Sequence, residues 1–273
     1  MVNETKAQYD SFARSYTSVV DLPCCQLEGE LMRIALGDCT GLAVLDLGGG
    51  SGIHARHAVD AGASVVDVFD ISAEMLRMGE KEEQNLGRQD RIHWYVADAT
   101  QPLAKQVENG AVRPDGYDIV MVNWTFDNAT ALSGLRGMWE NAVSLLKPGG
   151  KFLGTRLRNI RAKYMSYGKY GNRFADIETI PGGVKYKVEC LTEPPFSWDT
   201  TAMDATYPVT NDIPYELGLV DFREIPAEET DVVQKSLGFW EDFLNDPFFV
   251  MVTAQKCKNG GVKMDALGER LSL

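Results

Sequence analysis

Between residues 42 and 157, short runs rich in β-branched and other apolar residues alternate with stretches of helical periodicity. The pattern predicts strands at 42–47, 64–70, 92–97, 117–123 and 151–157. Helices are expected at about 52–61, 72–86 and 131–147, the last stopped by Pro148 and Gly149 in LLKPGG. Such alternation builds a doubly wound, mostly parallel α/β sheet with helices on both faces. Residues 5–37 read as one or two amphipathic helices interrupted near Pro23. After 157 the rhythm changes. Residues 158–215 carry tyrosines, turn signals such as Pro181-Gly182-Gly183, and short alternating strands such as VKYKVECL, which predicts an inserted antiparallel cap. Strand-like sequence returns at 219–226 and 247–256, followed by a polar tail. The expected organisation is a single domain over 1–273: a helical cover (5–37), a core (42–157), a cap insertion (158–215) and terminal strands (216–257).

The chain has 273 residues, of which 44% are hydrophobic, enough for one large core with an elaborated cap. Its formal charge of −12 repels polynucleotides and anionic membrane surfaces, so neither is expected as a partner. The five cysteines are odd in number and scattered, without metal-ligand spacing, and predict reduced thiols and no metal site. No apolar leader and no run of roughly 18 apolar residues is present, so a cytoplasmic protein is expected. Oligomeric state is not legible.

Candidate chemistry concentrates in VLDLGGGSGIHARHA (44–58). Gly48, Gly49, Gly50 and Gly52 follow a predicted strand and open a helix, where missing side chains let a ligand approach the main chain. Position 53, where a dinucleotide fingerprint places its third glycine, is Ile53. That weakens, without removing, the alternative of an NAD(P)-dependent oxidoreductase. Asp46 disfavours a phosphate but suits an ammonium group, which points to a nucleoside bearing an amino acid. Asp70 ends the next strand and can accept both ribose hydroxyls; Asp98, one strand later, can accept from an exocyclic adenine amine.

LDLGGGSG (45–52), VFDISAEML (68–76), VADAT (96–100), YDIVMVNWTF (117–126) and LLKPGGKFL (145–153) together resemble the class I S-adenosylmethionine-dependent methyltransferases, particularly their small-molecule branch. The resemblance covers residues 5–157 well and the terminal strands loosely. It implies a seven-stranded Rossmann-like sheet, S-adenosylmethionine as cofactor and S-adenosylhomocysteine as product. It also implies that the glycine loop with Asp46 holds the methionine part, Asp70 the ribose, and Ile71, Met75, Asp98 and Ala99 the adenine. Asn123 and Trp124 would stand at the methionine end and the floor of the acceptor pocket, and Tyr9 and Tyr16 would cover the cofactor.

A sulfonium methyl is already electrophilic, so alignment and water exclusion carry most of such catalysis. Candidate bases are His54, Asp127 and tyrosines including Tyr16. An acceptor pocket is expected between the N-terminal helix and the cap, lined by Phe12, Trp124, Phe126, Tyr164 and Tyr167, with Arg156 and Arg158 available to an acceptor carboxylate. These aromatics favour a small, partly aromatic or apolar metabolite. A protein that binds the cofactor without transferring its methyl group, or uses the sulfonium for another reaction, is the remaining alternative.

Overall fold

The computed structural model describes residues 2–108, 110–206, 212–258, 263–264 and 270–271. Residues 207–211 of the expected cap and most of the expected polar tail lie outside them. Two helices come first: α1 (Val2–Tyr16) and α2 (Pro23–Leu36), with Pro23 at the first turn of α2, where its missing N–H costs nothing. The core follows as β1 (Ala43–Leu47), α3 (Ile53–Asp60), β2 (Val65–Asp70), α4 (Ala73–Asn85), β3 (Ile92–Val96), β4 (Tyr117–Met121), α5 (Leu132–Ser144) and β5 (Leu146–Leu157). The cap contributes β6 (Asn172–Ile180), β7 (Gly183–Cys190) and β8 (Phe196–Met203). The chain then forms α6 (Ile213–Glu216), β9 (Leu219–Glu224), α7 (Asp231–Gln234), α8 (Leu237–Asn245) and β10 (Phe249–Lys256).

Seven strands form one sheet in the order β3-β2-β1-β4-β5-β10-β9. β1 to β5 pair in parallel, and β10 runs antiparallel between β5 and β9. This is the expected Rossmann-like arrangement. All five residues of β1 are buried, as a central parallel strand covered on both faces requires. Val44, Val66 and Val68 pack on one face with Leu27, Leu31, Ala55 and Ala58; Leu45, Val120 and Phe152 pack on the other with Leu135, Met138 and Trp139. The order of β1 reverses direction beside β4, the switch point where open α/β sheets place ligands at the carboxyl ends of their strands.

The LLKPGG segment behaves differently from its sequence reading. α5 ends at Ser144, and β5 begins at Leu146, so Pro148 and Gly149 lie within a strand. Leu146 opposes Tyr117 and Lys151 opposes Ile119, a bulge that absorbs the Pro-Gly residues. Lys147 is fixed there by a 2.8 Å contact with Asp118.

The cap is a separate three-stranded antiparallel sheet, β6-β7-β8. Residues 158–171 contain only turns and a short 3-10 helix, Lys163–Ser166, ahead of it. Ile180 opposes Gly183 across a tight turn whose Gly182 has φ of 73°. Gln8 of α1 accepts the Asp199 N–H at 2.9 Å, and Asp10 accepts the Ser72 hydroxyl at 2.6 Å, so α1 is fastened to both the cap and the start of α4.

Candidate active site

A cavity of about 450 Å³ opens above the carboxyl ends of β1, β2 and β4. Its floor is the glycine loop. Gly48 has φ of +72°, and a Cβ there would stand 2.2 Å from the Thr125 hydroxyl, so only glycine closes the turn. Gly50 differs: its φ is +55°, and a Cβ would meet nothing nearer than the Met75 methyl at 3.7 Å, so bare main chain faces the cavity.

The acids at the strand ends have distinct jobs. Asp70 accepts the Gly50 N–H at 2.9 Å and the Ser72 N–H at 2.8 Å, joining the loop to the start of α4. Burial pushes its carboxyl up to about 6, against those two hydrogen bonds. Asp46 is 1% exposed, and neither of its carboxylate oxygens makes a hydrogen bond. Burial pushes it up to about 6, Asp70 adds to the rise and His54 opposes it. A buried carboxylate left open in a cavity wall suits a cationic donor from a ligand. At the far end, Asp98 accepts both the N–H (2.8 Å) and the hydroxyl (2.7 Å) of Thr100, which fixes the Asp98–Thr100 loop beside Ala97 and Ala99. Ile71, Met75, Phe69 and Met138 supply apolar walls there.

At the opposite end stands Trp124, a non-glycine residue with φ of +59°. Its left-handed backbone costs of order 1 kcal/mol and is held by side-chain contacts. The indole N–H donates to Glu28 at 2.8 Å, and the ring stacks on Phe248 at 6.3 Å. Asn123 accepts the Thr155 N–H at 3.0 Å, while its own amide nitrogen is buried without a partner.

Glu28 organises this end. It also accepts the Thr155 hydroxyl at 2.6 Å and faces His54 Nε2 at 3.4 Å. Burial raises Glu28, but His54, Thr155 and Trp124 together outweigh it and hold the carboxyl below its usual range. Burial lowers His54, yet Glu28 and Asp46 more than offset that and hold the imidazole above its usual value. His57 is the reverse: burial, with His54 and Arg33 beside it, pulls its imidazole down to about 4.

Behind Trp124 lies a second, smaller chamber of about 90 Å³ between α1, α2 and the cap sheet. It shares Tyr9, Tyr16, Glu28, Trp124 and Asn128 with the first cavity. The cap contributes Phe174, Tyr186, Val188, Cys190, Trp198 and Thr200. Among the described residues, no group of three or more His, Cys, Asp or Glu side chains could hold a metal ion.

Residues 45–152, from the glycine loop through the first half of β5, match the family model of a methyltransferase domain. This stretch is a methyltransferase domain. No curated protein sequence matches the chain. Solved structures share its fold at low identity. The CcbJ methyltransferase from Streptomyces caelestis superposes with a TM-score of 0.59 at 17% identity, over 93% of this chain and 98% of that one. An S-adenosylmethionine-dependent methyltransferase from Mesorhizobium loti gives 0.55 at 20%, over 84% of this chain and 100% of that one. The [4+2]-cyclase SpnF gives 0.57 at 13%, over 95% of this chain and 98% of that one.

Within the methyltransferase domain, the structure brings Asp46, Gly48, Gly49, Gly50, Asp70, Ile71, Met75, Asp98, Ala99, Asn123 and Trp124 to one cavity, with Tyr9 and Tyr16 of α1 above them. His54 also lines it. Gly52 does not: it precedes α3 with φ of +76°, and a Cβ would stand 2.5 Å from the Trp94 ring.

The acceptor-side residues fare less well. Only Trp124 of that set faces the cavities. Phe12 is buried behind them, 5.2 Å from both Tyr9 and Phe196, and supports the aromatic wall. Phe126 stacks on Trp139 at 4.2 Å in the opposite core. Arg156 is 3% exposed, with its guanidinium over Phe126 and donating to the Val122 carbonyl at 2.8 Å. Arg158 points to the surface and pairs with Glu224. Tyr164 is buried, donating to the Asp246 carbonyl at 2.7 Å, and Tyr167 is exposed. Neither arginine lines either cavity. Asp127 lines the second chamber, not the first. Glu28, Asn128 and the cap residues Phe174, Tyr186 and Trp198 were not legible as site residues. Glu28 was signalled only by an acid in the buried stripe of LEGELMRIAL; the cap residues were signalled by alternation in VKYKVECL and FSWDTT.

Proposed function

We propose that the protein transfers the methyl group of S-adenosylmethionine to a small, partly aromatic or apolar metabolite. The observation that carries this is the pair of joined cavities: a polar-ended cleft above the glycine loop, and an aromatic chamber on the far side of Trp124. The residues present fit the cofactor. Two orphaned carboxylate oxygens on Asp46 and the open main chain at Gly50 offer what an amino-acid tail needs, and apolar Ile71 and Met75 beside Asp98 suit a purine. Asp46 with Gly48, Gly49 and Gly50 would hold the methionine part, Asp70 the ribose, and Ile71, Met75, Asp98 and Ala99 the base. When bound, the cofactor supplies an electrophilic methyl on sulfur.

The chain's own residues do the rest. α1 and the cap seal the acceptor chamber from water through Tyr9, Tyr16 and Trp198, which raises the worth of every polar contact inside. Glu28 fixes Trp124 and thereby the boundary between the cavities. Bringing acceptor and methyl into line in one closed space is the principal source of rate. Asp127 and the Glu28–His54 pair are the groups placed to receive a proton from the acceptor.

Incubation with methyl-labelled cofactor and fractions of small-metabolite extract tests this: a labelled low-mass product is expected. The scaffold is shared with a [4+2]-cyclase, which favours a second reading in which the cofactor binds without giving up its methyl group. Saturable cofactor binding with no labelled product from any extract would favour that reading over methyl transfer.

A further inference from the structure

The walls of the second chamber say more about what enters it. Its aromatic faces come from α1 (Tyr9, Tyr16), the loop after β4 (Trp124), the cap (Phe174, Trp198) and the residue ahead of β10 (Phe248). The rings meet in two groups: Tyr9 and Tyr16 lie 6.4 and 6.5 Å from Trp198, and Phe248 lies 5.7 Å from Phe174 and stacks on Trp124. Set among them are two hydrogen-bond acceptors with nothing to accept. Asp127 is 4% exposed, and its Oδ2 is buried without a hydrogen bond; so is the Oδ1 of Asn172. Among the described residues, no lysine, arginine or histidine lines the chamber. Arg156, whose charge is felt by Asp127, stands outside the chamber and makes no hydrogen bond to it: its Nη1 donates to the Val122 and Thr155 carbonyls, its guanidinium lies over Phe126, and its Nη2 is buried without a partner. The other acid of the wall, Glu28, is occupied by Trp124, Thr155 and His54.

We propose, resting on the methyl-transfer reading above, that the acceptor is an apolar amine, seated among these rings with its nitrogen toward Asp127 and Asn172. An amine brings the N–H donors that the two orphaned oxygens lack. In its ammonium form it is also attracted to the π faces around it; it becomes a nucleophile by giving one proton to Asp127, after which its nitrogen lone pair takes the methyl group and the cofactor leaves as S-adenosylhomocysteine. A carboxylate of the same shape would meet only acceptors and ring faces and would lose its hydration without replacement. The chamber thus selects against anions by what it omits as well as by what it offers. Asp127 is then a specificity-determining residue, and its rigid setting follows from its own carbonyl, which accepts from Thr200 at 2.9 Å on the cap.

Three probes built on one phenethyl group test this: phenethylamine, 3-phenylpropionate and propylbenzene, titrated into the full chain saturated with S-adenosylhomocysteine, with tryptophan fluorescence as readout. Phenethylamine is expected to bind at least about tenfold more tightly than 3-phenylpropionate, with propylbenzene between them or below. In Asp127→Asn the preference for the amine over propylbenzene is expected to shrink to about threefold or less, while propylbenzene affinity stays unchanged. If that variant does not fold, the wild-type ranking and Asn172→Ala, expected to weaken the amine alone, decide the matter. Equal or tighter binding of the acid, or no binding of any of the three to the cofactor-loaded protein, overturns the proposal. Failure of S-adenosylhomocysteine itself to bind overturns instead the cofactor reading on which it rests.

Discussion

Burial pushes both Asp46 and its neighbour Asp70 up to about 6, against different opposition. Asp70 gains two backbone hydrogen bonds, and Asp46 gains none. Replacing Asp70 with alanine removes the tie between the Gly50 N–H and the start of α4, together with the ribose contact proposed for it. Cofactor affinity measured by calorimetry is expected to fall by about 10- to 100-fold, the worth of charge-assisted hydrogen bonds. Asp46→Asn should behave in two opposed ways. A carboxyl raised in the folded state above its unfolded value near 4 destabilises the free protein when ionised, fully so above about pH 7 and not at all below about pH 4. The variant is therefore expected to melt above the wild type at pH 8, by on the order of 1–2 kcal/mol of stability, with the gap about halved at pH 5 and closed by about pH 4. Its cofactor affinity is expected to drop at every pH. Both acids were legible because each ends a strand with a clear apolar pattern, one beside the glycines and one twenty residues beyond Gly50. Glu28 was not, because its partners Trp124 and Thr155 are brought to it only by the tertiary fold.

The turn after β1 and the helix above it are the elements that define the cleft. Gly48→Ala combines an unfavourable left-handed φ with a collision against Thr125, whose hydroxyl already donates to the Leu47 carbonyl at 2.9 Å. A loss of at least about 2 kcal/mol in denaturant unfolding is expected, with cofactor binding impaired. α1 is pinned more lightly, at Asp10 to Ser72 and at Gln8 to Asp199. In Asp10→Ala, faster hydrogen exchange of α1 amides and a few-fold weaker cofactor binding are expected, with the exchange of β1 and β4 unchanged. Element existence was readable wherever hydrophobic period and punctuation agreed. At LLKPGG they disagreed with the fold: Pro148 and Gly149 look like a helix stop, but pairing of Leu146 with Tyr117 starts the strand before them. In the cap, tyrosines 164 and 167 attracted attention by composition, whereas the strand alternation of Tyr186, Val188 and Cys190 marks the residues that line the chamber.

Across the whole molecule, the parallel sheet presents three strand ends to one cavity while the helical cover and the cap close a second one beside it. Cofactor binding should share the titration of the acids it meets. With Asp46 and Asp70 both near 6, affinity is expected to be flat between pH 7 and 8 and to weaken below pH 6 as they protonate, by up to about tenfold per pH unit for each group. Calorimetry across that range, with Asp46→Asn losing part of the slope, checks it. The division of labour between the cavities is also why the acceptor side was less legible than the cofactor side. Motifs within 44–126 are local in sequence, but the chamber is assembled from α1, α2, the loop after β4, the cap and β10. A crystal structure of the protein with S-adenosylhomocysteine tests the central claim most directly. The account predicts the amino-acid tail against Asp46 and the Gly48–Gly50 main chain, the ribose on Asp70, the adenine between Met75 and Ala99, and the sulfur facing Trp124; the ligand in another cavity, or reversed in this one, would contradict it.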